Sequence, residues 1–171
     1  MRSPVKGLKL VAEVQTGGDV EPIMIKADDP KYFIVIFRGR RDELITVLDA
    51  VYKSNGRDYL KKTIIPSPHP ELLEVLLLKG TGENVKHLGL MEINGYGAMM
   101  KCADIVLKTP AMAVLSIVFD TLTGTGQLAI AGVDTVFPSL FMEMRGICGS
   151  LNIRSASVIS TPGKKIIEAI L

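Results

Sequence analysis

The sequence has no tryptophan, and its 171 residues include only five phenylalanines, four tyrosines, two cysteines and two histidines. Two cysteines, Cys102 and Cys148, are too few for a disulfide scaffold and suit a reducing cytosol, the expected location. Both fall on helix-like faces and read as small buried hydrophobes. His69 and His87 have no His, Cys or carboxylate partner at ligand spacing, so no metal site is nominated. No Ser or Cys has a base assigned to it by pattern, so no catalytic residue is nominated and no enzyme is expected. An excess of one charge is missing too: 20 Lys plus Arg face 18 Asp plus Glu. The signs are interspersed, which argues against a nucleic-acid partner.

Long apolar runs are also lacking. A membrane-spanning helix needs roughly 18 or more consecutive apolar residues. The charge-free runs Thr109–Phe119 and Thr121–Val133 fall short, and the second is full of Thr and Gly. Charge breaks the stretch Met1–Lys6 too early for the apolar region of a signal peptide. No membrane partner is expected. Yet 47% of the residues are hydrophobic and the mean hydropathy is +0.31. Disorder is excluded, because it requires low hydrophobicity and high net charge. The apolar surplus must lie inside the fold or against other copies of the chain.

What is present is an internal repeat. Residues Thr63–Leu77 align without gaps on Ser157–Leu171, with Ile65, Pro68, Glu74 and Leu77 meeting identical residues. Upstream, Phe33–Gly39 resembles Gln127–Gly132, and Arg2-Ser3-Pro4 resembles Lys108-Thr109-Pro110. The second copy, residues 86–171, reads as complete. Strand His87–Ile93 precedes helix Gly95–Lys108, which Pro110 terminates. Strand Ala113–Phe119, turn Thr121–Gly126 and strand Leu128–Ala131 follow. A helix from about Asp134 to Cys148 tolerates Pro138 in its first turn. Strand Ser155–Ile159 and a short helix Lys164–Leu171 close the copy. The order β-α-β-β-α-β implies an α/β (α+β) fold of ferredoxin-like repeats. The first copy, residues 1–79, is expected to hold strand Leu8–Val14, an inserted loop at about 19–31 and strand Phe33–Phe37. Helix Arg41–Ser54, strand Leu60–Ile65 and a short helix from Pro70 follow. It lacks the opening strand and helix, and Gly80–Asn84 joins the copies.

The stretch Leu88-Gly89-Leu90-Met91-Glu92-Ile93-Asn94-Gly95, followed by Ala103-Asp104-Ile105-Val106-Leu107-Lys108, resembles the opening of a bacterial microcompartment shell domain. Gly124-Thr125-Gly126 resembles the Gly-rich loop that lines that family's central pore. Pro66-Ser67-Pro68-His69 resembles its Pro-Arg-Pro-His edge motif, with Ser67 in place of Arg and Thr161 at the matching position of the second copy. Two copies in one chain resemble the tandem-domain shell proteins. The resemblance implies a homotrimer that mimics a hexagonal tile, with other shell proteins and encapsulated enzymes as partners.

It also implies pore-lining residues Gly124, Thr125 and Gly126, joined by Gly17, Gly18 and Asp19 from the first copy. The inserted segment 19–30 would then form a flap over the pore. The implied tile-edge residues are Lys108, Arg2, Ser67, His69 and Thr161. Some relatives carry an iron–sulfur cluster on a pore-loop Cys; here Thr125 and Gln127 occupy that loop, so no cofactor is expected. The alternative from another class is a trimeric, ferredoxin-like regulator that binds a small molecule.

Overall fold

The computed structural model describes residues 11, 12, 14, 19–29, 32–55, 61–77 and 85–171. The chain forms two compact units, Met1–Lys62 and Thr63–Leu171. Among the described residues no helix is long and apolar enough to cross a membrane.

In the first unit β1 (Glu21–Asp29) and β2 (Tyr32–Arg38) form an antiparallel hairpin, from Glu21 opposite Arg38 to Asp29 opposite Tyr32. Strand β2 is almost wholly β-branched and aromatic, as a half-buried pleated surface favours. Helix α1 (Arg41–Asn55) carries Asp42 and Glu43 in its first turn and Lys53 in its last, matching the helix dipole. Its Leu44, Val47 and Val51 share one face and pack with Val14, Val20 and Phe37 into a small core.

Several expectations are corrected here. Where a strand was expected at Leu8–Val14, the described residues Val11, Ala12 and Val14 are helical. Where an inserted loop was expected at 19–31, residues 21–29 are strand β1, paired with β2 in a hairpin ladder that shifts register between Pro22 and Met24 and between Lys26 and Asp29. The order helix, strand, strand, helix then matches the second unit from its own first helix onward. The helix expected to be missing is therefore represented, and the opening strand has no counterpart among the described residues. Residues 61–65 carry no strand either, although one was expected at Leu60–Ile65.

The second unit starts with an extended segment that leads into a 3-10 turn (Pro70–Leu72) and α2 (Glu74–Leu77). Then come β3 (His87–Asn94), α3 (Tyr96–Leu107), β4 (Met112–Asp120) and β5 (Thr125–Gly132). Helix α4 (Phe137–Ile147), a 3-10 turn (Cys148–Leu151), β6 (Ile153–Ser160) and α5 (Lys164–Ile170) complete it. The sheet runs β4-β5-β3-β6 with every neighbour antiparallel, the ferredoxin-like arrangement. Each element expected in this copy is present within a few residues of its expected bounds.

Alternation sorts the strands onto two faces. Met91, Ile93, Leu128 and Ile130 face the helices and meet Met99, Cys102, Val106, Phe137, Phe141 and Met144. Leu88, Ala129 and Ala131 face the other way, joined by Leu115 at a bulge in β4. The end of α5 covers that second face, where the buried Ser116 hydroxyl donates to the Ile170 carbonyl at 3.0 Å.

Glycine sets how closely the helices approach the sheet. A Cβ at Gly89 would stand 2.3 Å from Cε2 of Phe141, and one at Gly132 would stand 2.0 Å from Cδ2 of Phe137. The rings therefore rest directly on strand backbone. A Gly132→Ala substitution should destabilise the protein by about 1–3 kcal/mol, since a ring in a packed core has little room to yield. Gly149→Ala, at a site with nothing within 4 Å, is the control. Thermal or urea unfolding of the two variants checks the difference.

Candidate functional site

The expected edge residues converge on one that the sequence reading placed on the opposite, polar side of α3. Asp104 is only 6% exposed. The segment leading to the 3-10 turn covers it: Ser67 bends the chain through a left-handed conformation (φ 46), and Pro68 and His69 follow. The His69 backbone N–H then donates to Asp104 Oδ1 at 2.7 Å. Lys108, one helical turn on, donates from Nζ to Oδ2 at 2.6 Å. The His69 ring is turned to the next element, with Nδ1 accepting from the Glu71 N–H at 3.3 Å and capping the 3-10 turn. One buried carboxylate thus bridges Lys108 and His69.

Hollows flank this bridge. A cleft of about 420 Å³ runs past His69, Glu71, Lys108, Pro110 and Met112. A slot of about 310 Å³ is lined by Ile64, Pro66, Asp104, Lys108, Ile147 and Leu151 among others. Thr161 is held elsewhere, its N–H donating to the Lys86 carbonyl at 2.8 Å. It repeats the backbone of its counterpart: φ is 53 at Thr161 and 46 at Ser67, each directly before a proline. Left-handed backbone is uncommon for a residue with a side chain. Its recurrence at aligned positions supports the repeat. Arg2, Gly17 and Gly18 lie outside the described residues.

The second candidate is the turn between β4 and β5. Asp120 Oδ1 accepts the Leu122 N–H at 2.8 Å and Oδ2 accepts the Thr123 hydroxyl at 2.7 Å. The Thr123 hydroxyl lies 2.6 Å from that of Thr125. Gly124 has φ 71, which glycine alone adopts at no steric cost. Its carbonyl accepts the Gly95 N–H at 2.9 Å, tying the turn to the start of α3. The Thr123 hydroxyl and the Leu122 N–H hold the Asp120 carboxyl below its usual range. Leu122 projects at the tip, 73% exposed.

Gly126, expected on the turn surface, is buried. Its missing Cβ would stand 2.1 Å from Met99 Sδ, so helix packing is what requires glycine there. Asp19 precedes β1 and lies at the open end of the first hairpin, beside Gly39, not at the turn that matches Gly124. Sequence reasoning also passed over Asp120 and Leu122. A carboxylate three residues before a threonine at a turn was the signal available for Asp120. Among the described residues no three His, Cys, Asp or Glu side chains group to hold a metal ion.

Two measurements follow from this geometry. Asp104→Ala and Lys108→Ala should each destabilise, and the double variant should cost less than their sum, with a coupling of roughly 0.5–3 kcal/mol. Unfolding of the four-member cycle measures it. Because the folded Asp120 carboxyl titrates low, its contribution is present above the unfolded value near ~3.9 and is lost as pH falls through the folded value. Thr123→Ala should move that loss to higher pH, as the Asp120 carboxyl carbon would report in an NMR titration.

No family model and no curated protein sequence matches the chain. Its structure is similar to the crystal structure of a microcompartment protein from Desulfitobacterium hafniense DCB, with a TM-score of 0.78 and 18% identity. The likeness covers 98% of this chain and 94% of that one. It therefore spans both units, and the fold of the chain is that of a microcompartment protein.

Proposed function

We propose that the chain is a structural subunit of a bacterial microcompartment shell. In this reading it forms trimeric, pseudohexameric tiles whose central pore passes small metabolites. The observation that carries the reading is the structural likeness to a microcompartment protein along 98% of the chain. Three chains of two repeats each give six wedges, and a closed ring is the usual way for identical wedges to bury their sides. The turn from Asp120 to Thr125 supplies the pore with hydroxyls, a carboxylate and open backbone, a lining for small polar solutes. The bridge of Lys108, Asp104 and His69 sits at the tile edge, with Ser67 and Thr161 where the resembled family has Arg. Docking at that edge therefore uses Lys108 and the flanking hollows in place of an inserted guanidinium. Other shell proteins are the neighbours, enclosed enzymes the contents, and the cytoplasm the compartment. The subunit has no catalytic role and carries no cofactor.

Expression of the chain alone tests this reading. The expected result is a particle of three times 18.5 kDa by light scattering, and flat sheets or tubes by negative-stain electron microscopy. A monomer would overturn it. A discrete trimer that never forms arrays and melts later with a small ligand would replace it with a ligand-binding regulator.

A further inference from the structure

The two copies of the repeat end differently. In the first copy the chain bends at Ser67 and runs through Pro68 and His69 into the 3-10 turn Pro70–Leu72, and this stretch is built into the second unit. Leu72, 3% exposed, belongs to that unit's main core, and Val75 and Leu76 pack against it. The His69 N–H closes the seat on Asp104. In the gapless alignment Thr161 meets Ser67, Pro162 meets Pro68 and Ile166 meets Leu72. Both stretches carry the left-handed bend, with φ 46 at Ser67 and 53 at Thr161.

Only the first of these stretches is covered. Ile166, the counterpart of the buried Leu72, is 41% exposed. No residue of α5 is buried, and Gly163, Lys164 and Lys165 beside the bend are exposed. A Cβ at Gly163, the counterpart of His69, would meet nothing within 4 Å. Ile170 and Leu171 pack on the outer sheet face, where the Ser116 hydroxyl donates to the Ile170 carbonyl. The far end of α5 is thus tied down, while its first turn, with Ile166, stands open. A lone surface isoleucine is ordinary. It is not ordinary where the aligned residue of the same chain lies in a core.

The first unit has room for such a plug. Among the described residues its core cluster buries Val14, Val20 and Val51, while the run Ile34–Phe37 on β2 is only half-buried. The stretch 67–72 sits on α3, and the counterpart of α3 in the first unit is the helix of Val11, Ala12 and Val14. We propose that the bend at Thr161 and the first turn of α5 dock on the first unit of a second copy of this chain, with Ile166 entering it as Leu72 enters the second unit.

Each copy then offers a plug from its second unit and a seat on its first. Such a head-to-tail contact adds copies until the rotation closes. This docking rests on the reading that copies of the chain close into a ring, and it names the residues and the surface that join them.

The test uses the purified full-length chain. Light scattering over a dilution series gives the concentration at which half of the wild-type chains are assembled. Ile166→Asp should raise that concentration at least about tenfold, the loss expected of a buried interface anchor. Its circular dichroism when dilute should match the wild type, since no residue of α5 is buried. Ile166→Leu, which supplies the residue of the first copy, should assemble as the wild type does. A second measurement locates the contact. Cys102 and Cys148 are buried, so in Ile166→Cys a benzophenone maleimide labels position 166 of the folded chain. Irradiation should join two chains, with position 166 of one linked to a peptide within residues 1–62 of the other. If Ile166→Asp assembles like the wild type, or the label links only to its own chain or to residues 63–171, the docking is overturned while a wild-type trimer keeps the shell reading. A wild-type chain that stays monomeric overturns both. A ring of another number, linked through position 166 to residues 1–62, sustains the docking and removes the trimeric tile.

Discussion

The central strand β3 is the constraint on which the second unit depends. It pairs with β5 along one edge and β6 along the other, and β6 has no other partner in the sheet. Without β3 the other three strands would separate into the hairpin β4–β5 and a lone segment. Among the described residues the first unit has a two-stranded hairpin, β1 with β2, and residues 61–65, which align with β6, carry no strand. The segment matched to β6 has good strand chemistry in Thr63, Ile64 and Ile65. A strand is nonetheless defined by a ladder, and the element that would supply that ladder has no counterpart among the described residues.

Freed from a ladder, the segment takes another role in the second unit. Thr63 lies against the first turn of α3, where a Cβ on Gly97 would stand 2.0 Å from its Oγ1. Ile65 joins the core beneath the helices. Ser67 turns the chain, and His69 lends its N–H to Asp104. The same residue pattern thus gives strand and turn in one copy and a cover for α3 in the other. What remains common is the left-handed bend before proline, at Ser67 and Thr161, which both copies keep although only one of them continues from a strand.

This explains what could be read from the sequence. The elements of the second copy were legible because each carries its own period and its own stop signal. The convergence of Lys108 and His69 was legible only through resemblance, since no local rule reports that a distant segment will cover Asp104. The periodicity of α3 puts Asp104 on the polar side, which is correct for an isolated helix and wrong for one that another segment overlies. Gly126 misled for a related reason: a glycine beside a turn and a glycine under a helix look alike in sequence, and only the Met99 side chain distinguishes them. In the first copy, placing about 19–31 in a loop rested on the extra residues between its strands relative to the second copy, whereas residues 21–29 pair with β2.

The apolar surplus is therefore only partly absorbed by the fold. Phe137, Phe141 and Met144 bury one stripe of α4, yet Val133 and Val136 at its entry and Met142 and Ile147 on its outer side remain about half exposed or more. A helix that faces only water carries polar residues opposite its buried stripe, and α4 mixes Met142 and Ile147 with Glu143 and Arg145 there. Ile147 also borders the slot beside Lys108, so exposed apolar surface reaches the cluster of Lys108, Asp104 and His69. A second protein surface resting on that region would bury both together.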